Sequence, residues 1–267
     1  MSKNKNNLKH YHNLVKILNE HNLNYHTYDS PSISDDEYDR LYEELKAIEE
    51  NNPSIISDNS PSQRVGSVLL QQFDKRSHET PMLSLSNAAS EKDFIDFYNK
   101  IKTQNQDKPF KLFAEPKFDG LAISISYKNG RYVNATTRGD GFIGEDVTQN
   151  VKTIKSLPIR IDNTDLPNQF SLRGEVFIDK TDFDAINNQL SQDNEKKYSN
   201  PRNLAAGSIR QLDPSVASSR KLRLFIHGIS DHKKFDKFNH HDQLINSLSK
   251  CGLPVNHYSE VLNNIDE

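Results

Sequence analysis

The stretch Leu121-Ala122-Ile123-Ser124-Ile125-Ser126-Tyr127-Lys128-Asn129-Gly130-Arg131-Tyr132 decides how the larger part of this chain folds. Leu121, Ile123, Ile125 and Tyr127 alternate with Ala122, Ser124 and Ser126, and a period of two puts the apolar set on one face of a strand. Asn129-Gly130 then supplies two residues that tolerate positive φ in a tight turn, so a hairpin partner is expected over Tyr132 to Thr137.

Working outward, strands are expected at Ser171 to Ile178 and Lys221 to Ile229. Between them come helices over Lys180 to Leu190 and Pro201 to Gln211, the second with Asn200 as cap and Pro201 at its first position. A last helix, His241 to Lys250, stops at Gly252. Upstream the period is helical: Tyr11, Leu14, Val15 and Leu18 mark a helix over about Leu8 to Leu18. Ser34 and Glu37 form a capping box ahead of Tyr38, Leu41, Tyr42, Leu45 and Ile48, which Asn51, Asn52 and Pro53 end. Helices first, then mixed strands and helices, is an α+β order. It implies a small helical domain joined near Gly66 to Phe73 to an α+β domain.

A chain of 267 residues can bury a real core. Its polar balance, 34% hydrophobic and 27% charged with a mean hydropathy of -0.81, and the lack of an apolar run of roughly 18 residues argue against a membrane span. The first ten residues, rich in Lys and Asn, lack the apolar core of a signal peptide. One cysteine, Cys251, excludes an internal disulfide and a thiolate metal cluster, and the reducing cytosol is the expected compartment. A net charge of -3 argues against wholesale nucleic-acid binding. The stretch Glu195 to Arg223 is nevertheless locally positive, which by itself reads as a solvated surface.

Glu115-Pro116-Lys117-Phe118-Asp119-Gly120 lies between two expected strands, so Lys117 projects from a tight turn. Such a lysine suits covalent catalysis if burial or neighbouring cations help it lose its proton. Alone, Lys-x-Asp-Gly arises by chance at a level of roughly 5% in a chain of this length, and an exposed turn lysine is the ordinary interpretation. It does not stand alone. Ala135-Thr136-Thr137-Arg138-Gly139-Asp140-Gly141, Gly144-Glu145-Asp146-Val147-Thr148, Leu172-Arg173-Gly174-Glu175-Val176, Asn200-Pro201-Arg202-Asn203 and Ala206-Gly207-Ser208-Ile209-Arg210-Gln211 follow in order. In this ordered series the chain resembles the NAD-dependent DNA ligases of bacterial type, over nearly its whole length.

The resemblance implies a helical domain over residues 1–70 that holds the nicotinamide mononucleotide (NMN) half of NAD. It implies a nucleotidyltransferase domain over 71–267, of mixed, largely antiparallel sheets with flanking helices, like the catalytic domain of DNA ligases and mRNA-capping enzymes. Lys117 is then the nucleophile that takes AMP from NAD and releases NMN, before AMP passes to the 5′-phosphate of a DNA nick in replication and repair. Asp119 is a supporting carboxylate, Glu115 reads adenine, and Arg138 and Glu175 contact ribose and phosphate. Ser84-Leu85 is a further nucleotide contact. Tyr25-His26, Asp29 and Asp35-Asp36-Glu37-Tyr38-Asp39 match the NMN-holding segment. Asp35 and Asp39, one turn apart beside Tyr38, offer acceptors next to a stacking ring; Asp35 and Asp36 also complement a helix N-terminus, which for Asp36 is the preferred reading of the residue itself. Arg202 and Arg210, on one helix, would meet phosphate at the nick. NAD and Mg2+ are the implied cofactors, with no protein-held metal or zinc site, and nicked double-stranded DNA is the partner of a cytoplasmic monomer.

Two departures stand out. His227, in Leu224-Phe225-Ile226-His227-Gly228, occupies the place of a tyrosine that stacks on adenine. The chain also ends at Glu267, ahead of the family's two further lysines, its OB-fold, zinc module, helix-hairpin-helix region and BRCT domain. Full ligation by this chain alone is therefore not expected. Two other readings remain open from sequence: a non-catalytic NAD- or partner-binding remnant, and an ATP-using nucleotidyltransferase, which leaves Tyr25 to Asp39 unexplained.

Overall fold

The computed structural model describes residues 2–26, 32–64, 72–162 and 166–267. Helix α1 (Ser2–His26) extends beyond the expected Leu8 to Leu18 at both ends, and pairs with α2 (Asp35–Asn51). Tyr11, Leu14, Val15 and Leu18 of α1 close over Leu45 of α2, with Tyr38, Leu41, Tyr42 and Ile48 around them. Ser34 caps α2 by accepting from the Glu37 amide at 3.3 Å. The expected return bond of the capping box is replaced: the Glu37 carboxylate lies 3.8 Å from Arg40. Buried Glu49 is satisfied by the hydroxyls of Tyr11, at 3.0 Å, and Ser60, at 2.6 Å, the condition on which a carboxylate survives in a core.

The larger region is built on a four-stranded antiparallel sheet of β3 (Leu121–Lys128), β4 (Arg131–Thr137), β6 (Gln169–Phe177) and β7 (Arg223–Ile229), in the order β4-β3-β6-β7. Asn129 and Gly130 turn the hairpin with φ of 51° and 72°, the geometry that two-residue loops select. Alternation does the rest. Ile123, Ile125 and Tyr127 have no exposed surface, and each such side chain contributes about 1.5–3 kcal/mol of burial. They share one core with Val151 of α4 (Thr148–Lys152), Ala205 and Ile209 of α6 (Pro201–Ile209), Ala217 of α7 (Pro214–Ser219) and Leu248 of α8 (His241–Lys250). The opposite face is polar, because Ser124 pairs with Thr136 and Arg173, Ser126 with Asn134 and Ser171, and Ala122 with Glu175.

Two expected boundaries are corrected. The strand expected from Lys221 starts at Arg223, since Lys221 has φ of 48°, outside the range of a strand residue. The helix expected to reach Gln211 ends at Ile209, with Arg210 as its C-cap at φ -94° and ψ 20°; Arg210 is therefore not a helical partner of Arg202. Several elements lacked a sequence expectation. Helix α3 (Glu91–Gln104) is opened by a full capping box between Ser90 and Asp93. The three-residue pairs β1 (Lys75–Ser77) with β5 (Ile143–Glu145), and β2 (Leu112–Ala114) with β8 (Glu260–Leu262), are too short to show a period.

The helical pair sits against the larger region through Arg64, which is buried and donates to the carbonyls of Ile154, at 3.1 Å, and Leu157, at 2.9 Å. Burial pushes its guanidinium down to about 10, so it remains charged at neutral pH. Asp58 and Arg131 add an ion pair across the junction. Among the described residues no helix is long and apolar enough to cross a membrane.

Candidate nucleotide-binding site

Residues 115–120 make the turn between β2 and β3, and the turn is pinned from beneath. The Phe118 ring lies 4.6 Å from that of Phe225 and 5.2 Å from that of Phe177, centroid to centroid. Gly120 is buried, and a Cβ there would stand 2.0 Å from the Val176 carbonyl oxygen, so only glycine fits. With Phe118 turned inward, Lys117 and Asp119 are exposed. Lys117 is thus not buried in this arrangement, whereas burial was one of the two surroundings considered for it from sequence.

Glu175 projects from the polar face of β6 and accepts the Gly120 N–H at 3.0 Å. Burial pushes its carboxyl above the ordinary value, while the Gly120 bond, Arg202 and Lys117 pull it down and Asp119 pushes it up. Those opposing influences place Lys117, Asp119 and Arg202 around one carboxylate. Asp119 accepts from Arg202 Nη1 at 2.9 Å. Arg210 donates through Nε to Glu145 at 2.7 Å. Both arginines assigned to DNA from sequence are therefore paired with carboxylates here.

Arg138 follows β4 and ties a second segment to the sheet. Its amide donates to the Ala122 carbonyl at 3.0 Å, and Ala122 is the register partner of Glu175. Its guanidinium donates to the Met82 carbonyl at 3.1 Å and to Ser84 Oγ at 2.8 Å. Arg173 fixes the same segment through the Thr80 carbonyl at 2.5 Å, and Met82 N–H reaches the Gly141 carbonyl at 2.8 Å. Ser84 is thereby joined to Arg138, whereas Leu85 is 76% exposed.

Glu115 closes the other end. Its Oε2 lies 3.6 Å from Nε2 of His241, the first residue of α8, whose ring stands edge-on to Phe113 at 5.0 Å. His227 joins them because β7 carries a bulge: Gly174 pairs with Ile226 and Arg173 with Gly228, leaving His227 as the extra residue. Partial loss of water holds its imidazole below the ordinary histidine value, with Glu115 opposing and His241 and Arg173 reinforcing the shift, although the residue as a whole remains exposed. His241 and Arg173 were not legible as site residues: one looked like a helix start, the other like a strand residue. Between the polar face and residues 76–80 lies a cavity of about 240 Å³, lined by Ser124, Ser126, Thr136, Arg173 and His78 among others. Among the described residues no group of three His, Cys, Asp or Glu side chains is arranged to hold a metal ion.

Tyr38 and Asp39 are elsewhere. With His21 and Asn22 they line a cavity of about 400 Å³ whose other wall is Lys155, Asp182, Lys221 and Arg223, and neither Lys117, Glu115 nor Glu175 borders it. Asp36 and Glu37 are exposed on α2. Asp29 and the side chains of Tyr25, His26 and Asp35 lie outside the described residues.

Residues 70–267 match the family described as the NAD-dependent DNA ligase adenylation domain, and residues 4–66 match the DNA ligase-like, N-terminal NAD+-binding domain. The chain is 43% identical over 256 residues to a DNA ligase of Thermodesulfovibrio yellowstonii, covering 95% of this chain and 38% of the relative. It is 42% identical over 255 residues to a DNA ligase of Rickettsia bellii, covering 95% and 37%. A DNA ligase of Brevibacillus brevis is 43% identical over 254 residues, with coverage of 95% and 37%. The chain thus spans less than two-fifths of the length of these relatives. With the turn lysine, its carboxylates and the two matched regions in sequence order, the chain belongs to the NAD-dependent DNA ligase family.

Proposed function

We propose that this chain carries out the adenylation half-reaction of a DNA ligase, taking AMP from NAD onto Lys117 and presenting it to the 5′-phosphate of a DNA nick. The observation that carries this reading is the exposed Lys117 on a turn immobilised by Phe118 and Gly120, beside Glu175 and the Asp119–Arg202 pair. A nucleophile must be reachable and still be held in place, and this turn meets both conditions. Residues 1–70 serve as the helical unit for the NMN half and residues 71–267 as the nucleotidyltransferase domain, in a cytoplasmic monomer.

The residues fit the nucleotide. Glu115 accepts from the adenine amino group, and His227 offers a ring face to the base. Glu175 accepts from ribose hydroxyls, and Arg138, next to Ser84, donates to ribose or phosphate oxygens. After giving its proton to solvent, Lys117 Nζ bonds to the α-phosphorus. The bond from that phosphorus to the bridging oxygen breaks, and NMN leaves with the electron pair on its phosphate. Mg2+ would be held largely by phosphate oxygens and water, as that ion usually is, and the Asp119 and Glu175 carboxylates around Lys117 would be available to its waters. Tyr38 and Asp39 can hold the NMN half during attack only if the helical pair leaves its present seat, because here they face a different cavity.

The test is incubation with adenine-labelled NAD and Mg2+, followed by denaturing electrophoresis. Covalent label that requires Lys117 supports the proposal. Binding of NAD without label supports a non-catalytic NAD-binding remnant, and stronger labelling by ATP an ATP-using enzyme.

A further inference from the structure

We infer that the polar cavity between the sheet and residues 76–80 is a binding site for a compact oxyanion, phosphate or sulfate, held by Arg173 and Ser230. The cavity measures about 240 Å³, and none of Lys117, Glu115, Arg138, Glu175 and His227 borders it. The inference therefore stands apart from the reading of those residues as the nucleotide site. The floor is two rows of side chains laid across the sheet. Thr136, Ser124 and Arg173 are register partners in one row, and Asn134, Ser126 and Ser171 are partners in the next. Ser230, just past β7, extends the second row, since its N–H donates to the Ser171 carbonyl at 2.8 Å. Residues 76–80 form the opposite wall. Polar side chains enclosed in this way cost free energy unless each finds a polar partner.

Two residues of this lining are left short of partners. Arg173 Nη1 and Ser230 Oγ are buried and have no hydrogen-bond partner among the described residues, and Ser230 as a whole is only 9% exposed. Arg173 also lacks a counter-charge: burial alone holds its guanidinium below the ordinary value, with no carboxylate acting against it. Its Nη2 is taken by the Thr80 carbonyl at 2.5 Å. The other charged groups around the cavity are committed elsewhere. Arg76 pairs with Asp146, Glu79 with Lys234 at 3.4 Å, and His78 Nε2 donates to the Arg138 carbonyl at 3.1 Å. A guanidinium taken out of water without a carboxylate calls for an anion. The donors around it indicate the class. Hydroxyls stand on both sides of Arg173, Ser124 on β3 and Ser230 past β7, so the ligand must offer several acceptor oxygens in a small volume. Phosphate and sulfate do; a carboxylate offers two in one plane. The volume takes such an anion with a few bridging waters, at about 30 Å³ for each water.

An anion in this place links the sheet to the segment that covers it. Arg138 already grips that segment at Met82 and Ser84, and Arg173 holds it at Thr80. Fixing Arg173 strengthens the second hold, so occupancy slows the opening of residues 76–82 whatever happens at Lys117.

The test is calorimetric titration of the whole chain with inorganic phosphate, sulfate and acetate at constant ionic strength, alongside amide hydrogen exchange. Phosphate and sulfate should each bind saturably at one site, acetate about tenfold or more weakly, and phosphate should slow exchange in residues 76–82. Ser230→Ala, which removes one neutral donor, should weaken phosphate about fivefold or more, and Arg173→Gln should abolish its binding. Lys117→Ala should bind phosphate as the wild type does. Absence of saturable binding, equal binding of acetate, or unchanged phosphate affinity in Ser230→Ala overturns the site. Loss of binding in Lys117→Ala also overturns it, because the anion would then sit at the turn lysine. Circular dichroism checks that each variant is folded, and if Arg173→Gln is not, Ser230→Ala decides. A failure to form lysyl-AMP would count against the proposed function and leave these binding results as they are.

Discussion

Arg202 and Asp119 lie 2.9 Å apart, joining the first turn of α6 to the turn that carries Lys117. The pair is exposed at both ends, with side-chain exposures of 53% and 72%, so it adds little to stability. It does keep a guanidinium at the turn that carries Lys117. Under the proposed function, a phosphate arriving at lysyl-AMP would compete with Asp119 for that guanidinium, which would give Arg202 a role after the first half-reaction.

Arg202→Ala is therefore expected to leave lysyl-AMP formation nearly intact and to lower AMP transfer to nicked DNA by about tenfold or more, the value of one phosphate contact. Arg210→Ala, which frees Glu145, is expected to act in the same direction. The measurement uses pre-adenylated protein in a form long enough to seal DNA. Unimpaired transfer rules the role out.

Lys117→Ala is expected to abolish covalent labelling by NAD while shifting stability by no more than about 0.5 kcal/mol, as for an exposed side chain with no core contact. Mass spectrometry of the intact chain after incubation reads the first part and a thermal melt the second. An AMP adduct on the variant would move the nucleophile elsewhere.

Gly120→Ala separates the scaffold from the chemistry. A methyl group 2.0 Å from the Val176 carbonyl must push β3 from β6 or break the Gly120 bond to Glu175. The expected cost is about 1–3 kcal/mol, visible as a lowered melting temperature, with slower labelling because the turn shifts. Labelling at the wild-type rate would show that Lys117 does not depend on a fixed turn.

How much of this was legible depended on the range of the forces involved. The hairpin at Asn129-Gly130 could be read because its signal is local: alternation on both sides and a turn that only certain residues make. The same holds for α8, whose limits match the pattern. The order of the sheet, with β6 beside β3, is a long-range choice that no local period encodes. Asp119 showed in sequence as a carboxylate two residues from Lys117, but its tie to Arg202 joins positions distant in the chain. His241 was readable only as the start of a helix; its place beside Glu115 follows from how α8 packs. Family resemblance implies that Tyr38 and Asp39 are ligand residues, yet only the packing of the helical pair shows them lining a cavity with Lys155 and Lys221.

His227 offers the last prediction, on affinity and on pH. It stands at a bulge beside Glu115, where sequence resemblance expects a tyrosine, and a larger ring at that place covers more of an adenine face. Additional aromatic contact is worth about 0.5–1.5 kcal/mol, so His227→Tyr should lower KM for NAD by about two- to twelvefold, and His227→Ala should raise it. The histidine also adds a pH dependence. Its folded-state value is depressed below 6.5, so on acidification the unfolded chain takes up a proton before the folded chain does. The stability linked to neutral His227 is present above about pH 6.5 and is lost as pH falls from there through the depressed value. Replacement by tyrosine removes that contribution, because a phenol does not titrate in the window. Thermal melts from pH 7.5 down to 5 should therefore fall less steeply for His227→Tyr than for the wild type. Parallel curves would show that His227 titrates alike in the folded and unfolded chains, and an unchanged KM would show that it does not face the adenine.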